Sequence, residues 1–194
     1  GAKRTAASGG VSNIVAPTPY WRAFLGGRLA ANQLLAADVD KNGKNDILYV
    51  AGGRVVAKQP DDVLLWSTPI LGIEQLFGVD DLDRDGSLDV VAASVDPAYV
   101  ISGGTGVVQW AEPDGEMGRL SGIRLADLDA DGKPDLTLEG CGCCLNNSGK
   151  SGFVYSFGSG YAAPKLLWTL PVIACSAAAA LTILDIDGAG KAGV

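Results

Sequence analysis

The sequence predicts an all-β fold made of repeated four-stranded antiparallel units, because two features recur along the chain with nearly the same period. The first is a short acidic loop with the pattern D-x-D-x-D/N-G-x-x-D, followed by an apolar residue. The second is a tryptophan that precedes each acidic loop by 15 to 17 residues. Recurrence at a fixed spacing is typical of repeat architectures. The chain is therefore expected to consist of structurally equivalent units.

The acidic loop occurs three times in full and once in a degenerate form. The complete copies are DVDKNGKNDI from Asp38, DLDRDGSLDV from Asp81 and DLDADGKPDL from Asp127. The fourth copy, DIDGAGKAGV from Asp185, has Ala and Gly where the fifth and ninth positions otherwise carry Asp or Asn. It lacks two potential ligands, so we expect it to bind metal weakly or not at all.

The tryptophans give the length of the unit. Trp21, Trp66, Trp110 and Trp168 are separated by 45, 44 and 58 residues, and a proline follows the last three at the third position. A period near 45 with short β-rich runs is typical of β-propeller blades. We expect each tryptophan to pack between adjacent blades and not to form a ligand cage.

Each complete unit offers four runs rich in β-branched and aromatic residues, separated by Gly, Asp or Pro. The first run leads into the acidic loop (QLFGVDD), the second leaves it (DILYVAG), the third follows a turn (RVVAKQ) and the fourth carries the tryptophan (VLLWST). The predicted fold is a partial or incomplete β-propeller with about four blades of four antiparallel strands.

The whole chain is expected to be one β-propeller domain or fragment. We predict a leading tail and orphan outer strand at 1–30, blades at 31–70, 71–114 and 115–171, and the start of a further blade at 172–194. These units do not add up to whole blades. A piece of a longer propeller is the favoured explanation, and the alternative is that the termini complete one another's blade, within one molecule or between two.

The acidic loops predict sites for a hard divalent cation. Calcium takes six to eight oxygen ligands, and a short glycine-containing loop can supply most of them. Side chains at positions 1, 3, 5 and 9 and the backbone carbonyl at position 7 are the predicted ligands, and glycine at position 6 permits a sharp turn. The predicted metal-binding residues, for about three calcium ions, are Asp38, Asp40, Asn42, Lys44 and Asp46; Asp81, Asp83, Asp85, Ser87 and Asp89; and Asp127, Asp129, Asp131, Lys133 and Asp135.

Two other interpretations of the loops fit less well. An EF-hand needs a bidentate glutamate at position 12, where this sequence has Tyr49, Ala92 and Leu138. A metal-free turn rich in Asp and Gly is the second alternative, and it is stronger for the first loop, where Asn42 replaces an acid. Half of the 22 acidic residues lie in the three loops. Each close carboxylate pair costs about 1–4 kcal/mol without a cation, which favours metal binding.

The loops and their period resemble FG-GAP/VCBS repeats, which form the blades of integrin α-chain propellers and of many secreted bacterial proteins. The resemblance covers roughly residues 20–194 and includes YVAGG at Tyr49–Gly53. It implies calcium on the loop between the first and second strands, on one face of the propeller, and partners on the opposite face. Members of the family include adhesion receptors, lectins and some polysaccharide lyases, so the resemblance does not by itself fix the function.

Four cysteines accompany the third unit. Three lie in the insert GCGCCLNNSGKSG (Gly140–Gly152), and the fourth follows WTLP; they are Cys141, Cys143, Cys144 and Cys175. The order of strands brings both segments to the face opposite the acidic loops. We predict that Cys175 pairs with one of the other three, with Cys144 favoured, and that the remaining two pair locally. Three pairings are open, and a cysteine-rich metal site is the alternative.

Several features bear on where the chain works. An even cysteine count and calcium loops favour a secreted, extracellular or cell-surface location, and Asn146 begins a possible glycosylation sequon. A net charge of −7 without a Lys/Arg cluster argues against a nucleic-acid partner. The uncharged segment Leu166–Leu184 has the length of a membrane span, but Pro171 interrupts it and the repeat divides it into strand, loop and strand. We therefore expect no membrane span.

The sequence as a whole predicts a calcium-binding extracellular interaction or adhesion module for a protein or glycan partner, with the loop Cys141–Lys150 as the candidate contact. The chain has no histidine and no visible catalytic constellation, which argues against an enzyme. Two alternatives stay open. One is a lyase-like polysaccharide-active enzyme on the same scaffold, and the other is a structural subunit that self-associates through incomplete blades.

Overall fold

The computed structural model describes residues 33–95, 97–113, 120–140, 150–158 and 160–171, and these residues form strands, turns and bends without a helix. The strands are β1 (Leu34–Ala37), β2 (Asp46–Ala51), β3 (Arg54–Lys58), β4 (Leu64–Ser67), β5 (Gln75–Asp80), β6 (Asp89–Ala93), β7 (Ala98–Ser102), β8 (Val108–Ala111), β9 (Leu120–Ala126), β10 (Asp135–Gly140), β11 (Lys150–Ser156) and β12 (Lys165–Pro171).

The strands form three four-stranded antiparallel sheets, and each strand pairs with its neighbours in sequence. Sheet 1 contains β1–β4, sheet 2 contains β5–β8 and sheet 3 contains β9–β12. None of these sheets closes into a barrel. The predicted all-β architecture of repeated four-stranded antiparallel units is confirmed, and it is that of a partial, propeller-like fold. The domain boundaries drawn from the sequence stay predictions.

The acidic loop occupies the same connection in every sheet. It joins the first strand to the second, and its ninth residue is the first residue of the second strand. Next to the loop, the register of the first and second strands is also the same in the three sheets. The pairs that close the loops are Ala37 with Asp46, Asp80 with Asp89, and Ala126 with Asp135.

Two apolar clusters hold the sheets face to face. The cluster between sheets 1 and 2 includes Leu48, Val50, Trp66, Leu76, Val90 and Ile101. The cluster between sheets 2 and 3 includes Val91, Val100, Trp110, Leu136, Phe153 and Phe157. Every residue of β6 is buried, because successive side chains of a strand point to opposite faces and both faces of sheet 2 are covered.

Trp66 and Trp110 pack between adjacent sheets, as predicted. Both are 8% exposed, and each stands on the fourth strand of its sheet. The indole N–H of Trp66 donates to the carbonyl of Gly103, in the turn between β7 and β8 of sheet 2. The ring of Trp110 lies 5.1 Å from that of Tyr155, in β11 of the neighbouring sheet, and 5.3 Å from that of Phe157, directly after β11.

Trp168 differs from the prediction. It holds the equivalent place on β12 but is 39% exposed. Sheet 3 is the last of the described sheets, so no further described sheet covers this tryptophan. The chain from residue 172 onwards lies outside the described residues, as does Trp21.

The observed strands follow the predicted runs closely, with one clear difference. β11 begins at Lys150, three residues before the predicted run FVYSFG, so the connection after β10 is 141–149 and not the whole predicted insert Gly140–Gly152. The predictions for Cys141, Cys143, Cys144, Cys175, Asn146 and the fourth acidic loop fall outside the described residues. β12 takes up the beginning of the uncharged segment Leu166–Leu184. Across the described ranges, no helix has the length and apolar character needed to cross a membrane.

The first strands of the three sheets lie side by side, and β5 contacts both β1 and β9. Leu34, Phe77 and Arg124, from these three strands, line a cavity between them. Since each first strand runs into its acidic loop, the three loops leave the sheets on the same side. Side chains of neighbouring loops are in contact there.

Candidate metal centres

The three acidic loops share one backbone conformation. Glycine at position 6 has a φ of +81° at Gly43, +84° at Gly86 and +81° at Gly132, which confirms the predicted sharp turn. Position 4 is also left-handed in each loop, with φ of +62°, +59° and +59° at Lys41, Arg84 and Ala130. This conformation costs an L-residue about 1–2 kcal/mol. Its recurrence with three different side chains shows that the loop imposes it.

Backbone N–H groups fix the side chains at positions 1, 3 and 5. The N–H of position 6 donates to Oδ2 of the first aspartate over 2.8–2.9 Å in each loop. The N–H of position 5 donates to Oδ1 of position 3 over 3.1–3.2 Å. The N–H of position 7 donates to Oδ1 of position 5 over 2.6–2.8 Å. Such local bonds are typical of Asx turns, and here they hold the carboxylates on the inside of the loop.

The aspartate at position 9 joins the end of each loop to its beginning by a hydrogen bond. Asp46, Asp89 and Asp135 are at most 2% exposed. In each of them Oδ2 accepts the N–H of position 2, from Val39, Leu82 or Leu128, over 2.8–3.1 Å. The second strand therefore delivers a buried carboxylate directly under the turn.

Burial raises the carboxyl pKa of all three position-9 aspartates. Desolvation is the largest cause in each case, and neighbouring loop carboxylates add to it. The pKa of Asp89 rises to about 6, although hydrogen bonds from Tyr161 and Leu82 work in the opposite direction. The same burial, with the Asp89 carboxylate alongside, raises the pKa of Tyr161. A protein that holds carboxylates in this way without a cation disfavours their charged form.

The loops bring together nine of the fifteen predicted metal-binding residues as compact carboxylate groups. Within each group the candidate ligand atoms lie no more than 4.8 Å apart. The groups are Asp38, Asp40 and Asp46; Asp81, Asp83 and Asp85; and Asp127, Asp129 and Asp135. Asp89 and Asp131 are outside them. Asn42 donates to Asp40 through its amide and accepts from Lys44. The ligand assignment itself, including the carbonyls of Lys44, Ser87 and Lys133, stays a prediction.

Some of these carboxylates have a buried oxygen that accepts no hydrogen bond. The atoms are Oδ1 of Asp46, Oδ1 of Asp81, and Oδ1 of Asp127 and Asp135. Leaving a buried acceptor unsatisfied costs about 1–3 kcal/mol, and more when it is charged. Each loop contains at least one such oxygen within its carboxylate group. A divalent cation would satisfy these oxygens, so the residues present fit a metal ion.

Contacts between loops were not predicted from the sequence. Lys41 donates to the Ser87 hydroxyl over 2.9 Å. Lys133 donates to the backbone carbonyls of Asp83 and Gly158 over 3.2 and 3.0 Å. The Tyr161 hydroxyl donates to Oδ2 of Asp89. The first, second and last of these pairs lie 46, 50 and 72 residues apart in sequence, and no local pattern marks them.

Fold and site together define a propeller-like repeat protein in which an aspartate-rich loop joins the first two strands of each four-stranded sheet. Residues 81–137 match the family model described as an FG-GAP-like repeat. The matched segment begins at the first aspartate of the second loop and ends in β10, after the third loop. The resemblance inferred from the loops to FG-GAP repeats is thus confirmed over residues 81–137, which include the second and third loops. No curated protein matches the chain.

Proposed function

We propose that this chain is a calcium-binding extracellular or cell-surface module that binds a protein or glycan. The observation that carries the calcium proposal is the set of buried carboxylate oxygens without hydrogen-bond partners, at least one of which lies in each loop. Buried charges in proteins are paired or coordinate a metal. Of the described cations near the loops, Lys41 and Lys133 bond to a hydroxyl and to carbonyls, and Lys165 lies 4.0 Å from Oδ2 of Asp129, which is not one of these buried oxygens.

The donor set favours calcium over other metals. Every proposed ligand is an oxygen, whereas zinc and copper sites in proteins are usually built with nitrogen or sulfur. Magnesium requires a tighter octahedral shell and keeps several of its waters. Loops with three closely placed carboxylates, and with further oxygens proposed as ligands, suit the larger, more adaptable calcium shell.

Calcium would act on folding as well as on charge. Each ion would neutralise two of the carboxylate charges that the loop holds within 4.8 Å of one another. A ligand that binds only the folded state stabilises that state by mass action. An extracellular location would supply calcium continuously, and the predicted disulfides would suit the same compartment.

A binding role accounts for the perturbed acids without catalysis. The carboxyl pKa is raised at Asp46, Asp89 and Asp135, and all three hold the same place in an acidic loop. The sequence contains no histidine to serve as a base. We therefore propose a module that is not an enzyme, with its partner on the face opposite the loops.

The test is a thermal melt of the purified chain in chelator, in millimolar magnesium and in millimolar calcium. We expect calcium to raise the melting temperature well above the other two conditions. A variant with Asp38, Asp81 and Asp127 all replaced by Asn is the matched control and should lose the calcium response. Equal melting temperatures for the original chain in all three conditions would overturn the calcium proposal.

Two further measurements separate the alternatives. Sedimentation in calcium and in chelator gives the mass of the chain in solution, and a dimer or larger species would favour the structural subunit. Calcium-dependent cleavage of a panel of acidic and neutral polysaccharides would favour the lyase-like enzyme. A monomer without cleavage activity is the result expected for an interaction module.

A further inference from the structure

The second acidic loop is held by the neighbouring sheet at two of its proposed ligand residues. The Tyr161 hydroxyl, on the connection between β11 and β12, donates to the buried carboxylate of Asp89. The ammonium group of Lys133, in the third loop, donates to the backbone carbonyl of Asp83. Asp89 and Asp83 are positions 9 and 3 of the second loop. Both contacts therefore act on residues that we propose as metal ligands.

A third contact joins the same two loops. The guanidinium group of Arg84, at position 4 of the second loop, lies over Gly132, at position 6 of the third. A methyl group at position 132 would come within 2.7 Å of an Nη atom of Arg84. The backbone turn of the third loop and the side chain of the second are therefore fitted to one another.

The first loop is joined to the second much more weakly. The bond that connects them is from Lys41 to the Ser87 hydroxyl, and it is exposed. The buried carboxylate of Asp46 receives N–H groups from its own loop, at Val39 and Asp40. The second and third loops thus share hydrogen bonds at two proposed ligand residues, whereas the first loop meets the second sheet through Lys41 and through Val39, which packs against Gly103.

We propose that the second and third loops bind calcium as a coupled pair, with Tyr161 and Lys133 as positioning residues, and that the first loop binds independently. This inference rests on the proposed function. It adds that calcium binding is coupled between the loops of sheets 2 and 3 and is not coupled between the loops of sheets 1 and 2.

The route of coupling follows from the hydrogen bonds. In Asp89, Oδ2 accepts both the Leu82 N–H and the Tyr161 hydroxyl, so the position of this carboxylate depends on the neighbouring sheet. Lys133 is position 7 of the third loop, whose carbonyl is a proposed ligand. A cation that fixes the Lys133 backbone also fixes its side chain on the carbonyl of Asp83. Linkage then requires a cation in the second loop to favour the third by the same factor.

The experiment follows each loop separately by NMR. The amide N–H groups of Gly43, Gly86 and Gly132 each donate to the first aspartate of their own loop, so each amide shift reports calcium in one loop. Calcium is titrated into the full chain and into Asp127→Asn, which impairs the third loop. A titration is repeated in the background Lys133→Met/Tyr161→Phe, which removes the two positioning groups and keeps their bulk.

In the otherwise unchanged chain, Asp127→Asn should raise the half-saturating calcium concentration at Gly86 by about fivefold or more, because site couplings typically span 5–150-fold. The value at Gly43 should not change. In the Lys133→Met/Tyr161→Phe background, the effect of Asp127→Asn at Gly86 should shrink to less than about twofold. Asp127→Asn removes the same negative charge in both backgrounds, so comparing them cancels the long-range electrostatic effect of that charge on calcium binding at the second loop.

Lys41→Met is the matched control, because it removes the bridge at the other boundary. It should leave the effect of Asp127→Asn on Gly86 intact. If Asp127→Asn does not fold, Asp129→Asn replaces it, since Asp129 is an exposed carboxylate of the same loop. Absence of a calcium response at all three glycines would overturn the proposed function. Normal calcium responses with no effect of Asp127→Asn on Gly86 would overturn the coupling alone.

Discussion

The indole ring of Trp66 lies against Gly106 so closely that a methyl group at position 106 would come within 2.6 Å of the ring carbon Cε3. Gly106 also has a φ of +73°, and the indole N–H bonds to Gly103 in the same turn. The turn between β7 and β8 of one sheet thus forms the surface against which the tryptophan of the preceding sheet packs. Packing between sheets depends on this turn as much as on the tryptophan.

Replacing Gly106 with Ala should therefore destabilise the chain by about 2–4 kcal/mol, from overpacking and from the left-handed backbone together. Gly52→Ala is the matched control. Gly52 has a φ of +57° but nothing within 4 Å of the added methyl group, so only the backbone cost of about 1–2 kcal/mol applies. Urea unfolding at a fixed calcium concentration measures both. Equal losses for the two variants would show that the contact between Trp66 and Gly106 carries no packing constraint.

The two tryptophans with different exposure should respond differently to truncation. Trp110→Ala removes a ring that contacts Tyr155 and Phe157, and a loss of about 3–5 kcal/mol is expected. Trp168→Ala removes a ring that is 39% exposed and should cost less than half as much. Chemical unfolding of both variants makes the comparison. If Trp168→Ala proves as costly as Trp110→Ala, Trp168 packs between blades as the sequence periodicity predicts.

Asp46→Asn should change stability in opposite directions with and without calcium. In the metal-free chain the substitution replaces a carboxylate that has a buried oxygen without a partner, so stability should rise by about 1 kcal/mol. In millimolar calcium the same change removes a ligand and should reduce the gain that calcium provides. Thermal melts in chelator and in calcium give both values. A loss of equal size in both conditions would mean that Asp46 serves only as an acceptor for the Val39 N–H.

The metal-free chain should become more stable as the solution is made mildly acidic. The pKa of Asp89 is about 6 in the folded chain against an ordinary value of 3.8, and burial also raises the pKa of Asp46 and Asp135. At pH values between the ordinary pKa and the raised pKa of Asp89, the folded state binds more protons than the unfolded state. The free energy of unfolding therefore increases as pH falls.

The measurement is urea unfolding of resin-stripped protein at about pH 5.5 and about pH 7.5, with the higher stability expected at the lower pH. Asp89→Asn should flatten this dependence. With calcium present the order should reverse, because protons compete with calcium for the same carboxylates. Metal-free protein that is less stable at the lower pH would contradict the account of the buried acids.

Repetition made much of the fold predictable. Each acidic loop marks the end of a first strand, each tryptophan marks a fourth strand, and the glycine at position 6 marks the turn, so these features could be placed from residue types alone. The left-handed conformation of position 4 could not be predicted from residue types, because Lys41, Arg84 and Ala130 have no side chain that favours that conformation. There the repeated loop geometry overrides local preference.

Apart from the packing of Trp66 and Trp110, contacts between sheets were the part that the sequence did not reveal. The partner of Asp89 is Tyr161, and that pairing depends on how two sheets pack and not on any spacing along the chain. Trp168 is 39% exposed, and the part of the chain that the structure describes contains no sheet after sheet 3 to cover it. Sequence periodicity describes a unit well, and the relationships between units arise only in three dimensions.

The central claim is that the three loops bind calcium, and counting bound ions tests it most directly. Isothermal titration calorimetry with calcium, at physiological salt and with folding checked by circular dichroism, gives the number of sites in the original chain and in the Asp38→Asn/Asp81→Asn/Asp127→Asn variant. Since the described residues contain three carboxylate groups, we predict about three ions for the original chain and none for the variant. A folded original chain that binds no calcium would contradict the claim.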